Sequence, residues 1–282
     1  MFHFERPCDV IIIAGQSNAE GFGLGDCEKP YEKDERVLFL DTTKMPAYEL
    51  VEGKTDVWYL EMKDCEESRI GVAEIKDRGC FAHYFAREYI KNGYLKDGRK
   101  LLLVFAPVGG TGFGDTYWGV GKSERVSGLW TTDGPLYKRM IGLIDDALKI
   151  NPENKIVGLL WHQGENNVNT CKDFASLGER SYQWLSELLF AVKERYRLQD
   201  LPIVCGEFVR DTWYASTKEG SDIVMDAMAR LMKDLGGGFA RSEGLLSNNQ
   251  KVGNGDGIHF CHDALRVLGE RYFAEFTKIE KR

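Results

Sequence analysis

Short apolar segments alternate along the chain with longer segments whose apolar residues recur every three or four positions. The short segments are apolar almost throughout, which indicates strands covered on both faces of a sheet. The longer segments have the spacing of amphipathic helices. The predicted strands are 9–14, 36–40, 100–106, 155–161 and 202–206, and the predicted helices are 80–91, 135–150, 176–197, 221–235 and 263–278.

This alternation predicts parallel strands joined by right-handed crossovers. We therefore expect an α/β fold: a three-layer α/β/α sandwich with a flavodoxin-like, doubly wound parallel sheet of about five strands. Ligands bind such sheets at the carboxyl ends of the strands. The 282 residues contain no repeat or linker, so we expect a single domain over residues 1–282.

The charge and the cysteine content of the sequence indicate which binding partners are disfavoured and which cellular compartment is expected. The formal net charge is -7 and the basic residues are scattered, which argues against nucleic acid or an anionic membrane as the main partner. The apolar runs are far shorter than a membrane span. The seven cysteines lack the spacing of a disulfide framework. We expect a cytoplasmic protein with reduced thiols, or a secreted one if a signal peptide has been removed; the oligomeric state is not predicted.

A serine lies immediately beyond the first predicted strand, in the segment Gly15-Gln16-Ser17-Asn18. A small turn at this position would expose the hydroxyl at the carboxyl end of the strand, where a nucleophile is useful. The alternative is a serine that caps the next helix. The segment therefore predicts either a nucleophile or a helix cap.

A candidate base lies near the other end of the chain, in the segment Gly255-Asp256-Gly257-Ile258-His259. A serine hydroxyl needs a base to take its proton, and the base works best when a carboxylate orients it. Asp256 and His259 are three residues apart in a glycine-containing turn, so their side chains can meet. The alternative is an aspartate that caps a turn beside a surface histidine.

Two further segments follow predicted strands. In residues 161–167, an amide could donate to a developing oxyanion, and Glu165 could orient the base or brace the loop. Paired glycines, Gly109 and Gly110, would let a backbone N–H approach a ligand closely. The glycine segment fits neither a Walker A nor a dinucleotide-binding pattern, so we do not expect a nucleotide site.

Together these segments resemble the SGNH (GDSL-like) hydrolase superfamily, in particular its branch of family 6 acetylxylan esterases and sialate O-acetylesterases. The resemblance is carried by residues 15–18, 108–111, 161–165 and 256–260, in the family's order along the chain. It implies the SGNH hydrolase fold, with Ser17 as nucleophile and His259 as base. It further implies that the oxyanion donors are the backbone amides of Ser17 and Gly110 and the side chain of Gln163.

The resemblance leaves two acids for the third member of the triad. Asp256 fits the general superfamily pattern and is ranked first, whereas Glu165 is the acid favoured in some members of this branch. Many relatives carry an aspartate shortly after the Gln-Gly-Glu segment. This chain has Asn166 and Asn167 there, which leaves the role of that carboxylate open.

The activity implied is that of a serine esterase that removes O-acetyl groups from carbohydrate through an acetyl-serine intermediate, with no metal or organic cofactor. The substrate would be acetylxylan, an oligosaccharide or sialic acid. One alternative is an esterase or thioesterase of the same fold that acts on other acyl esters. Another is a non-catalytic carbohydrate-binding relative, which would be expected to lack Ser17 or His259.

Sugar rings stack on aromatic side chains, which suggests where the substrate binds. Trp118 and Trp130 lie in the long segment after Gly110 and are expected to form a sugar platform, with Asn18 as a further substrate contact. The alternative for the aromatic residues is a small core that stabilises the loop itself.

Overall fold

The computed structural model describes residues 6–42, 48–52, 57–62, 68–75, 77–117, 125–127, 129–171 and 173–280. Its strands are β1 (Cys8–Gly15), β2 (Val37–Thr42), β3 (Tyr48–Glu52), β4 (Val57–Met62), β5 (Ser68–Val72), β6 (Lys100–Phe105), β7 (Asp115–Tyr117), β8 (Arg125–Ser127), β9 (Lys155–His162), β10 (Ile203–Gly206) and β11 (Gly238–Ala240). Its α-helices are α1 (Ser17–Glu20), α2 (Phe81–Lys91), α3 (Pro135–Ile150), α4 (Glu165–Thr170), α5 (Phe174–Tyr196), α6 (Lys218–Asp234), α7 (Asn248–Val252) and α8 (His262–Glu280), and a π-helix spans Arg210–Tyr214.

The main sheet has the strand order β11-β10-β9-β1-β6-β2-β5. Each described pair is parallel except β2 with β5, which is antiparallel. Strand β1 lies in the centre between β6 and β9, and all eight of its residues are buried. A strand buried on both faces explains why its sequence is continuously apolar.

Helices cover both faces of this sheet. Val10 and Ile12 of β1 belong to a core cluster that includes residues of α3, α5 and α6. Ile11 and Ile13 point to the other face and belong to a second cluster, with residues of α2 and α8. The alternation of side chains along the strand thus divides the core into two layers. The predicted three-layer sandwich is confirmed.

Two features differ from the predicted architecture. The main sheet has seven described strands where about five were expected, because the short strands β5 and β11 extend its edges. A second sheet, ordered β3-β4-β8-β7, lies within residues 41–79 and 108–134, for which the sequence predicted no strand or helix. Three of the strands involved, β7, β8 and β11, have only three residues each, which is too short for a periodic pattern in the sequence.

No helix within the described ranges is long and apolar enough to cross a membrane. The single domain expected over residues 1–282 stays a prediction.

Candidate active site

Ser17 follows the end of the central strand β1. Gly15, the last residue of β1, pairs with His162 at the end of β9, and a Cβ atom at Gly15 would lie 2.0 Å from the His162 carbonyl oxygen. Only glycine permits this approach, and its φ of 128° also favours glycine. The Gln16 N–H then donates to the same oxygen over 2.9 Å, and α1 begins at Ser17. This turn fixes the hydroxyl at the carboxyl edge of the sheet.

Ser17, His259 and Asp256 form one hydrogen-bonded relay. His259 Nε2 lies 2.8 Å from Ser17 Oγ, and His259 Nδ1 lies 2.9 Å from Asp256 Oδ2. The other carboxylate oxygen, Oδ1, accepts the backbone N–H groups of Ile258 and His259. Because a carboxylate only accepts, it keeps the imidazole proton on Nδ1 and leaves the Nε2 lone pair towards the serine. This geometry suits removal of the hydroxyl proton.

Asn248, which the sequence analysis missed, supports the relay. Its Nδ2 donates to Asp256 Oδ2 over 2.9 Å and to the Phe22 carbonyl oxygen over 2.9 Å. Burial alone would raise the pKa of Asp256, but the hydrogen bonds from Asn248 and His259 hold that pKa below its ordinary value. A sequence signal exists, because Ser247 and Gln250 form the capping box that begins helix α7 at Asn248.

Asn18 is not placed to contact a substrate, which corrects the expectation from the sequence. Its side chain is fully buried. Asn18 Nδ2 donates to Glu165 Oε1 over 2.8 Å and to the Ile258 carbonyl oxygen over 3.1 Å, and Asn18 Oδ1 accepts the Phe260 N–H over 3.1 Å. The asparagine therefore holds the backbone on both sides of His259.

Glu165, the alternative acid, is linked to the segment around His259 by hydrogen bonds through Asn18. Within the described ranges its carboxylate makes no hydrogen bond to His259, whereas Asp256 bonds that ring directly. Its side chain is fully buried, and burial raises its pKa to about 7. His162 Nε2 lies 3.7 Å from Glu165 Oε1, but burial lowers the His162 pKa to about 3. A neutral imidazole supplies no positive charge to offset the carboxylate.

The burial of Glu165 predicts a pH-dependent stability. Its pKa rises on folding from 4.5 to about 7, so the folded protein binds this proton more tightly than the unfolded chain. The resulting stabilisation is complete below the unfolded pKa and is lost as the pH rises through the folded one. Relative to Glu165→Gln, the wild type should lose on the order of 1–3 kcal/mol of unfolding free energy between about pH 5 and 8.

Urea unfolding of both proteins across that pH range measures the difference, with Glu153→Gln as the matched exposed control. The control should run parallel to the wild type. Parallel curves for the wild type and Glu165→Gln would contradict the prediction.

The glycine pair after β6 lies against Ser17. A Cβ atom at Gly109 would lie 3.5 Å from Ser17 Cβ and 3.0 Å from Glu20 Oε2, which already accepts the Gly109 N–H over 2.8 Å. Gly110 has a φ of 71°, and its carbonyl oxygen accepts from Asn166 Nδ2 over 2.7 Å. The N–H groups of Ser17 and Gly110 donate to no acceptor in the described part of the chain, so both are available to an oxyanion.

Gln163 is buried in a network of amides. Its Nε2 donates to Asn167 Oδ1 over 2.6 Å and lies 3.5 Å from Gln16 Oε1. Asn167 also bonds the backbone of Phe113 in both directions, and Gln16 Oε1 accepts the Asn166 N–H. The two asparagines therefore tie the segment after β6 to the turn that carries Ser17. The predicted oxyanion contact of Gln163 stays a prediction.

Trp130, one of the two tryptophans expected to form a sugar platform, does not have a free face. Trp130 is fully buried, its Nε1 donates to Thr111 Oγ1 over 3.0 Å, and its ring packs edge-on against Trp161. The expectation that Trp130 binds sugar is therefore wrong, because a core side chain offers no free face. Phe113 is also buried, and both side chains belong to the main core cluster that contains Val10 and Ile12, not to a small core of the loop itself. Trp118 lies outside the described residues.

An aromatic side chain that was not predicted contacts the base. The half-buried Phe22 ring stacks on the His259 imidazole, with centroids 4.9 Å apart and an angle of 20° between the planes. Stacking limits rotation of the imidazole about its own bonds. No pattern in the sequence links Phe22 to His259, because the contact joins opposite ends of the chain.

Comparisons with known structures agree with the fold. Three solved structures resemble the chain over most of its length: NanS (TM-score 0.69, 18% identity, 98% of each chain), an Arabidopsis thaliana protein (0.63, 17%, 96% of this chain and 98% of that one) and a carbohydrate acetylesterase from Xanthomonas citri (0.61, 14%, 96% and 56%). At these identities the likeness establishes a shared fold.

Sequence comparison identifies the family. A probable 9-O-acetyl-N-acetylneuraminic acid deacetylase of Escherichia coli (strain K12) is 29% identical over 129 residues. That match spans 43% of this chain and only 38% of the relative. Residues 7–278 match the family described as carbohydrate esterase, sialic acid-specific acetylesterase. Since this match covers nearly the whole chain, the resemblance inferred from the four segments is confirmed, and the chain belongs to this family of carbohydrate esterases.

Proposed function

We propose that the protein is a serine esterase that hydrolyses O-acetyl groups of carbohydrate through an acetyl-Ser17 intermediate, with O-acetylated sialic acid as its substrate class. The observation that carries the proposal is the unbroken relay of 2.9 Å and 2.8 Å from Asp256 through His259 to Ser17. Family membership supports a carbohydrate ester as the substrate. The name of the Escherichia coli relative supports sialic acid.

In the first half of the reaction, His259 Nε2 takes the Ser17 hydroxyl proton while Ser17 Oγ attacks the acetyl carbonyl carbon. The carbonyl oxygen becomes an oxyanion in the tetrahedral intermediate. When that intermediate collapses, the bond to the sugar oxygen breaks, and the proton on Nε2 passes to the departing sugar hydroxyl. The acetyl group remains as an ester on Ser17.

In the second half, His259 Nε2 takes a proton from water, and the resulting hydroxide attacks the acetyl-serine. Collapse of this second intermediate returns the proton to Ser17 Oγ and releases acetate. The backbone amides of Ser17 and Gly110 stabilise the oxyanion in both halves. Asp256 stays ionised and stabilises the imidazolium that forms in each.

The competing functions differ in what they require of the site. A non-catalytic carbohydrate-binding relative has no need of a connected relay, and this chain keeps both the serine and the base. An esterase for long acyl chains needs an extended apolar groove. The glycine turn lies close beside the nucleophile, since a Cβ atom at Gly109 would lie 3.5 Å from Ser17 Cβ, and this favours a small acyl group instead.

Acetate release from a panel of acetylated saccharides tests the proposal. We expect turnover of O-acetylated sialic acid and, among nitrophenyl esters, a strong preference for acetate over octanoate. The acetate ester should be preferred because the turn beside Ser17 is formed by Gly109, which offers a long acyl chain no side chain to pack against. A preference for octanoate, or no acetate release from any saccharide, would reject the proposed activity.

The cytoplasmic compartment belongs to the same proposal. Its support is the state of the thiols: Cys8, Cys27, Cys80, Cys171, Cys205 and Cys261 are all free. Four of the six, Cys8, Cys80, Cys205 and Cys261, are buried. Buried reduced thiols are typical of proteins kept in a reducing environment.

A further inference from the structure

Arg78 shares an aromatic contact with the catalytic base. Its guanidinium carbon lies 4.8 Å from the centre of the Phe22 ring, and the same ring is stacked 4.9 Å from the His259 imidazole. A cation over an aromatic face is attracted by the ring's quadrupole. The Phe22 ring therefore contacts both the Arg78 guanidinium and the His259 imidazole, although Arg78 has no part in the relay.

The backbone segments that carry Phe22 and Arg78 are hydrogen-bonded to each other. Gly23 and Gly79, which follow Phe22 and Arg78, form an isolated antiparallel bridge with N–H···O distances of 3.3 Å and 2.8 Å. A Cβ atom at Gly79 would lie 2.3 Å from His262 Cδ2, so the bridge packs directly on the segment that follows His259. Arg78 is thus built into the site, even though its side chain is exposed.

The Arg78 guanidinium contacts the Phe22 ring and is otherwise exposed. Among the residues that the structure describes, no carboxylate forms an ion pair with it. It lines a cavity of about 530 Å³ with Asp41, Glu74 and Asp77, but Asp41 is paired with Arg139 at 3.1 Å. The Arg78 charge favours the ionised form of Glu20, but Glu20 Oε2 accepts the Gly109 N–H and forms no ion pair with Arg78 in the described part of the chain. An exposed guanidinium keeps several N–H donors for a ligand.

We infer that Arg78 binds the carboxylate of an acidic acetylated sugar while the acetyl ester of the same molecule lies at Ser17. The inference rests on the proposed function and adds how an acidic sugar is distinguished from a neutral one. Sialic acids carry a carboxylate on the ring. The planar guanidinium group of arginine can donate two parallel hydrogen bonds to such a carboxylate. Arg78 is then a binding residue that sets specificity and takes no part in proton transfer.

The test compares two substrates that differ only in charge: O-acetylated N-acetylneuraminic acid and the methyl ester of its carboxyl group. Acetate release is measured for the wild type, Arg78→Gln, Arg78→Lys and Arg230→Gln. Arg230 is the matched control, because it is exposed and lies 4.5 Å over the Tyr182 ring, on helix α6. Thermal unfolding of each variant checks that the fold is retained.

For Arg78→Gln we expect KM for the acidic substrate to rise on the order of ten- to a hundred-fold, the usual effect of losing a hydrogen bond to a charged group. The methyl ester should change by less than about three-fold, since it has no charge to lose. Arg78→Lys should recover part of the affinity, and Arg230→Gln should match the wild type.

Equal losses on the acid and its methyl ester would overturn the inference, because Arg78 would then act only by supporting Phe22 and His259. Unchanged KM for the acid would overturn it as well, and in both cases the proposed esterase activity would stand. If the wild type released acetate from neither substrate, the proposed function itself would fail.

Discussion

Replacing Ser17 with alanine is expected to lower kcat/KM for acetate release by about 10⁴-fold or more. The substitution removes the only atom that forms the acyl intermediate, while the oxyanion amides and the substrate contacts remain. Binding should therefore survive the loss of turnover. The measurement is the initial rate of acetate release over a range of substrate concentrations, together with the Kd of the variant for the intact acetylated sugar by calorimetry.

Ser186→Ala is the matched control, because Ser186 lies in the middle of helix α5 and alanine favours a helix. Its activity should equal that of the wild type. Residual turnover of Ser17→Ala within about tenfold of the wild type would mean that another group attacks the ester, and the proposed mechanism would be abandoned.

Replacing Asp256 with asparagine is expected to lower kcat by about 10³- to 10⁴-fold, with a much smaller change in KM. Asp256 Oδ2 accepts two hydrogen bonds, from His259 Nδ1 and from Asn248 Nδ2. An amide nitrogen at that position would donate towards two donors, so the imidazole would shift its proton to Nε2. Ser17 would then face an N–H group in place of a base.

Glu165→Gln separates the two candidate acids. Glutamine keeps an oxygen that accepts from Asn18 Nδ2 but carries no charge, so we expect kcat within about tenfold of the wild type. The pair of variants distinguishes direct orientation of His259 from support through Asn18. A large loss in Glu165→Gln beside a small loss in Asp256→Asn would reverse the assignment.

The layers of the fold were predictable because the core sets a strong periodic pattern. The strand predicted at 155–161 is observed as Lys155–His162, and the helix predicted at 135–150 is observed as Pro135–Ile150. In both elements the apolar residues follow burial closely. The edge strands β5 and β11 and the four strands of the second sheet were missed, since their pairing depends on which backbone lies beside them.

The site was predictable to the extent that its chemistry required particular residue types. Serine, histidine and aspartate after strands or in turns could be recognised as a relay before their distances were known. The residues that support this relay could not be recognised from their types. Asn18 and Phe22 are ordinary residues by type, and their roles follow from hydrogen bonds or stacking with residues more than 200 positions away along the chain. Asn248 donates to Asp256, eight positions away, and also to the Phe22 carbonyl oxygen, 226 positions away.

Ser17 and His259 are separated by 242 positions, and Asn18 joins the two regions by hydrogen bonds to the backbone on both sides of His259. During synthesis from the N-terminus, the serine is therefore present long before its base. A growing polypeptide that has not yet produced the segment through Phe260 holds an unactivated hydroxyl. The site for esterase activity is therefore complete only after this late segment has docked on the Ser17 region.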